Sequence, residues 1–168
     1  MNQEVKLRAM EPEDLELLYQ VENDPTLWNV GSSNVPYSRY TLQEYIATSL
    51  NDIYADHQVR MMIENGEGRA VGMADLVNFD PSNQRAELGL VILPSCRRRG
   101  YARAALHAVC DYALRQLHLH QLYAYIATDN KACVELFRSE GAHESNELTD
   151  WLFDGKRYQS ALLFQIIL

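Results

Sequence analysis

The stretch Ala86-Glu87-Leu88-Gly89-Leu90-Val91-Ile92-Leu93-Pro94-Ser95-Cys96-Arg97-Arg98-Arg99-Gly100-Tyr101-Ala102-Arg103-Ala104-Ala105-Leu106 changes character twice. Residues 85–93 carry apolar side chains on both faces, the pattern of a central strand. Pro94 closes that run, and three successive arginines follow. From Gly100 to Leu117 the apolar spacing becomes helical, with Ala102, Ala105, Leu106, Val109, Cys110, Ala113, Leu114 and Leu117 on one stripe. A buried strand is therefore predicted to pass through a short basic loop straight into a helix. The first amides of a helix lack internal partners, and the helix dipole makes that end partly positive. An anion placed there accepts several backbone N–H bonds at once. Gly100 removes a Cβ from its approach, and Ala102 lets the helix pack close to the strand. Arg97, Arg98, Arg99 and Arg103 add four positive charges in a chain of net charge −8. Taken alone, such a run reads equally well as a solvated turn. The strand–loop–glycine–helix context favours a dense anion such as a nucleotide phosphate. A Walker loop is excluded because no Gly-Lys-Ser/Thr follows, and the dinucleotide Gly-x-Gly-x-x-Gly fingerprint is absent.

On the N-terminal side, Val5, Leu7 and Ala9 alternate with charged residues as a short strand does. Glu11-Pro12-Glu13-Asp14 opens a helix carrying Leu15, Leu18 and Tyr19 on one side, with Glu22 near its end. Residues 29–39 read as a loop, and Thr41 with Glu44 has capping-box spacing for a helix to Ile53. Residues 58–64 and 70–79 read as strands joined by a turn at Asn65-Gly66-Glu67-Gly68. Asp80-Pro81-Ser82-Asn83 is a further turn. On the C-terminal side, residues 122–127 form a strand and residues 130–140 a helix, with Gly141 as its left-handed cap. Trp151-Leu152-Phe153, the turn Asp154-Gly155 and residues 158–168 read as a hairpin. The predicted order is βαα-βββ-αβ-αββ. It is an α+β (α/β) arrangement, with one mixed sheet of about seven strands and about four helices on its faces. No repeat or linker divides residues 1–168, so one domain is expected.

Composition narrows the function. The acidic balance argues against generic nucleic-acid binding and tolerates cationic substrates such as amines. No apolar run approaches the ~20 residues needed to span a bilayer. The opening Met1-Asn2-Gln3-Glu4 lacks a signal-peptide pattern. Cys96, Cys110 and Cys133 are odd in number and have no Cys-x-x-Cys spacing. Reduced thiols and a cytoplasmic location are expected, with Cys110 and Cys133 as small core residues. His118 and His120 stand two apart with no third ligand, so no metal is expected. The chain ends at Gln165-Ile166-Ile167-Leu168, read as a core strand in preference to a subunit interface, with a homo-oligomer left open.

Arg97-x-x-Gly100-x-Ala102 resembles the Gln/Arg-x-x-Gly-x-Gly/Ala signature of the GNAT N-acetyltransferase family. Ala86-Glu87-Leu88-Gly89 resembles the strand before that signature, and Asp129-Asn130-Lys131-Ala132 resembles the family's Asn-x-x-Ala/Ser motif. Phe137-Arg138-Ser139-Glu140-Gly141-Ala142 resembles its usual helix ending. The likeness spans nearly the whole chain. Val5-Lys6-Leu7-Arg8, Arg85-Ala86-Glu87 and Asp154-Gly155-Lys156-Arg157-Tyr158 with Ala161 resemble the branch holding spermidine and ribosomal-protein N-terminal acetyltransferases. This resemblance implies acetyl-CoA as co-substrate and the GNAT fold. It implies a cofactor site made by Arg97, Arg98, Arg99, Gly100, Tyr101, Ala102 and Arg103, with strand amides of Val91 or Ile92 for the oxyanion. Asn130 and Phe137 complete that site.

The favoured acceptor is a polyamine or diamine. A protein N-terminal amine is the alternative, and a non-catalytic acetyl-CoA sensor is a further one. A protonated amine cannot attack a thioester, so a carboxylate must help remove its proton. Glu87 on the central strand is the candidate base, and a purely structural glutamate reads equally well there. Glu22, Asp24 and Glu44 are the candidate amine ligands. Many relatives use a tyrosine acid at the position of Phe137, which has no proton to give. Tyr101, Tyr158 and Cys133 are the substitutes considered.

Overall fold

The structure is a computed structural model that describes residues 3–27 and 35–168. Residues 29–34 of the expected loop lie outside the described residues. The elements run β1 (Val5–Arg8), α1 (Leu15–Glu22), α2 (Arg39–Thr48), α3 (Ile53–Asp56), β2 (Val59–Asn65), β3 (Ala70–Asp80), β4 (Arg85–Ile92), α4 (Tyr101–Arg115), β5 (Gln121–Ala127), α5 (Lys131–Ser139), β6 (His143–Phe153) and β7 (Tyr158–Ile167). The seven strands form one sheet in the order β1-β2-β3-β4-β5-β7-β6. Neighbours are antiparallel except β4 and β5, which run parallel with α4 as their crossover.

Alternation along the strands builds a core on each face. Met61 and Ile63 join the cluster under α4, with Ala105, Leu106, Val109 and Ala113. Met62 between them joins the opposite cluster with Leu18, Val21, Leu27, Leu42 and Met73. Both faces of the central strands are therefore covered, which accounts for the two-sided apolar character of residues 85–93. Arg8 fastens the first strand and turn, giving two hydrogen bonds to the buried Asp14 carboxylate (2.7 and 2.9 Å) and one to Glu64 (2.6 Å).

Three expectations need correction. The helix predicted from Thr41 to Ile53 is two helices, because the chain turns extended at Ser49 and left-handed at Asn51 (φ +52°); Ser38 supplies the first cap by accepting from the Thr41 N–H (3.0 Å), while Glu44 accepts from the Tyr40 hydroxyl. Asp52 then caps the short α3. The turn at Pro12–Asp14 is 3-10, and α1 starts only at Leu15. The last hairpin begins at His143, eight residues before Trp151. Its early part, residues 143–150, is mostly polar because β6 is an edge strand with bulges, so it carries no buried alternation. The left-handed Gly141 (φ +76°) bears out the predicted cap.

Strand β3 presses closely on β4 at Gly72, where an added Cβ would collide with the Val91 carbonyl oxygen. Gly72→Ala is expected to lower stability by about 1–3 kcal/mol in a denaturant titration, the usual cost of overpacking. Gly66→Ala, in a turn with open space around it, is expected to change it little.

Candidate active site

Strands β4 and β5 pair only at Arg85–Gln121, Ala86–Leu122 and Glu87–Tyr123. Beyond these three pairs they part. β4 continues beside β3 as far as Ile92, whereas β5 stays beside β7 as far as Ala127. The opened seam is the floor of a cleft of about 520 Å³, lined on the β4 side by Glu87, Leu88, Gly89, Leu90 and Val91. Tyr123, Tyr125, Asn130, Cys133 and Phe137 line its other side.

Parting leaves backbone groups of β4 without a strand partner. The Leu93 N–H donates to the Val71 carbonyl (2.9 Å), and the Val91 carbonyl also faces β3 at Gly72. Backbone groups alternate along a strand, so the N–H groups of Leu90 and Ile92 face the seam. Of the two amides expected from sequence, that of Val91 faces β3, and that of Ile92 faces the seam together with Leu90. The Ile92 carbonyl on the same side accepts from Arg97 Nε (3.0 Å).

The arginine loop is more varied than its charge implies. Arg97 is bent back onto Ile92, and Arg103 pairs with Glu140 (2.6 Å) while donating to Ser139 (2.9 Å). These two hold the loop and tie α4 to α5. Arg98 and Arg99 are exposed at the loop, beside the amides that open α4. Both Arg98 (φ +60°) and Gly100 (φ +86°) adopt left-handed backbone. Glycine at 100 thus serves the turn as well as any close approach of an anion. Ala102 packs on the core behind the helix start.

At the far end of the cleft, Arg60 of β2 bridges Glu22 and Asp75. Its guanidinium meets Asp75 through two hydrogen bonds (2.6 and 2.9 Å). Burial opposes the charge on Arg60, but attraction and hydrogen bonds from Asp75, then Glu22, outweigh it and raise its pKa. Asp75 lines the cleft and was missed in the sequence. The available signal was an acid inside the apolar run of β3, with Arg60 opposite it in register.

Glu22 lines the cleft, where Arg60 already engages it. Asp24 and Glu44 do not line it. Asp24 accepts from the backbone and hydroxyl of Thr26 (2.9 and 2.7 Å), which lowers its pKa, and Glu44 stays exposed on α2. Glu87 is half-buried in the cleft and accepts from Asn78 (2.7 Å).

Neither tyrosine considered as acid lines the cleft. Tyr101 is buried in the core, with Asn65 Nδ2 3.4 Å from its hydroxyl. Tyr158 is 66% exposed and stacks on Phe153. Cys133 does line the cleft, one helical turn from Phe137, but burial pushes its thiol up to about 11. Asn130 caps α5 by accepting from the Cys133 N–H (3.3 Å) and also lines the cleft. Among the described residues, no group of three or more His, Cys, Asp or Glu is placed to hold a metal ion, and no helix is long and apolar enough to cross a membrane.

Residues 4–143 match the family model described as an acetyltransferase (GNAT) domain. The chain is 26% identical over 168 residues to a spermidine N(1)-acetyltransferase of Vibrio cholerae, covering 99% of this chain and 95% of that protein. A crystal structure of spermidine N-acetyltransferase from Vibrio cholerae in complex with CoA and spermine superposes with a TM-score of 0.86 at 25% identity, covering 98% of this chain and 95% of that one. A dodecameric structure of the enzyme from the same organism gives a TM-score of 0.80 at 25% identity, with 98% and 94% covered.

Removing Arg60 would strand two acids in a half-buried site. Arg60→Met is expected to lower stability by about 2–4 kcal/mol, measured by thermal and denaturant unfolding near neutral pH. Adding Asp75→Asn to that variant is expected to recover part of the loss.

Proposed function

The chain belongs to the GNAT acetyltransferase family, and on that premise we propose that it moves an acetyl group from acetyl-CoA to a primary amine of a polyamine or diamine. The observation that carries this reading is the opened β4–β5 seam, where a carboxylate and unpaired strand amides meet in one cleft. Polyamine is favoured over other amines by the acids at the cleft and by the likeness to spermidine acetyltransferases.

The exposed amides at the start of α4, with Arg98 and Arg99, take the cofactor's pyrophosphate. The acetyl group then lies in the seam. Attack of the neutral amine nitrogen on the thioester carbon gives a tetrahedral oxyanion, which the N–H groups of Leu90 or Ile92 stabilise. Glu87 takes the proton, directly or through water. Collapse breaks the carbon–sulfur bond and releases the coenzyme thiolate. Phe137 packs the wall there without a proton to donate. Cys133 is a poor acid for this step, because its raised pKa leaves it weaker than the ordinary thiol (about 8.5) it would have to protonate. The thiolate therefore takes its proton from water. The dodecameric neighbour supports assembly of this chain with copies of itself.

Incubation with acetyl-CoA and a panel of spermidine, spermine, a diamine and peptides with unblocked N-termini tests the reading. Thiol release with spermidine or the diamine, and acetylated product by mass spectrometry, is expected. Turnover of peptides alone would replace the acceptor, and tight acetyl-CoA binding with no turnover would make the protein a sensor. Glu87→Gln is expected to lower kcat about 10²-fold and to leave acetyl-CoA Kd nearly unchanged.

A further inference from the structure

The mechanism above leaves three aromatic side chains of the cleft unused. Tyr123 and Tyr125 stand two apart on β5 and share its cleft face. Their rings meet edge to face, with centroids 5.8 Å apart and planes at 80°. Trp151 of β6 packs on Tyr125 at 5.5 Å and 38°. All three line the cleft, and Trp151 stays 53% exposed. Two rings near a right angle, with a third beside them, form a corner that lines the cleft. Glu87 is the cross-strand partner of Tyr123 and, after burial, contributes to raising its pKa. A carboxylate therefore stands beside the corner.

A polyamine brings a second ammonium besides the one that reacts. The obvious carboxylates for it, Glu22 and Asp75, are already bridged by Arg60. Aromatic faces attract an alkylammonium and its flanking methylenes together, which matches a chain that alternates the two. Resting on the acyl-transfer reading, we infer that Tyr123, Tyr125 and Trp151 form a subsite for the non-reacting ammonium of the acceptor. Recognition by ring faces needs no N–H donor, so the subsite accepts a quaternary ammonium as readily as a primary one. Recognition by carboxylate hydrogen bonds would reject it.

The test compares 1,4-diaminobutane with (4-aminobutyl)trimethylammonium, which keeps one reactive amine. Wild-type protein is expected to show KM values for the two within about threefold. Trp151→Ala and Tyr125→Leu are each expected to raise both KM values by about five- to tenfold, with kcat changed less than about twofold. Trp151→Phe should recover most of the loss, and an unchanged acetyl-CoA Kd reports that each variant is folded. A wild-type KM more than tenfold higher for the quaternary amine would overturn the subsite, as would unchanged KM values in both variants. If neither amine is turned over, the acceptor reading fails by itself. The subsite is then read by calorimetry, titrating the quaternary amine into CoA-bound protein. Binding that weakens in Trp151→Ala supports it, and no binding overturns it.

Discussion

Everything at the cleft depends on β4 and β5 remaining paired for only three residues before they part. A parallel pair that continued would satisfy the amides of Leu90 and Ile92 and leave no space between the strands. Unpaired backbone groups are costly when buried. They persist here because each departing strand keeps a full partner on its other side, β3 for one and β7 for the other. Arg97 takes up one of the orphaned acceptors by bonding the Ile92 carbonyl. The same arginine links the end of β4 to the loop that leads into α4.

Much of this was legible in the chain before its coordinates. The two-faced apolar run, the arginine–glycine loop and the helical stripe from Gly100 specify a central strand feeding a helix, because both its faces are covered. Asn130 and Gly141 mark the ends of α5 by local backbone chemistry that needs no tertiary partner. The parts that did not read out depend on distant partners. Residues 143–150 are a strand because β7 offers its edge, and nothing in their own polar sequence requires it. Asp75 has meaning only beside Arg60 and Glu22, which are far from it along the chain. Tyr101 and Tyr158 were plausible acids by residue type, and the fold places one in the core and the other exposed on the hairpin, outside the cleft lining.

The Arg60 bridge also changes how the acidity of the cleft is understood. Glu22 and Asp75 share one guanidinium, so together they present a single net negative charge, and Glu87 adds its own. A second ammonium meets less carboxylate charge than the sequence suggests. The aromatic residues of the opposite wall thereby gain importance for recognition, since ring faces remain effective without a further buried charge.

The division of the sheet into two wings also divides the gene. Every strand of the wing opposite β4 comes from residues 121–168 in one continuous piece, and the arginine–glycine loop lies wholly before it. A single genetic crossover near His120 would exchange Tyr123, Tyr125 and Trp151 together while retaining Arg97 to Arg103. The same exchange would bring new residues to positions 130 and 137, while Glu87 and the arginine–glycine loop stay with the N-terminal piece.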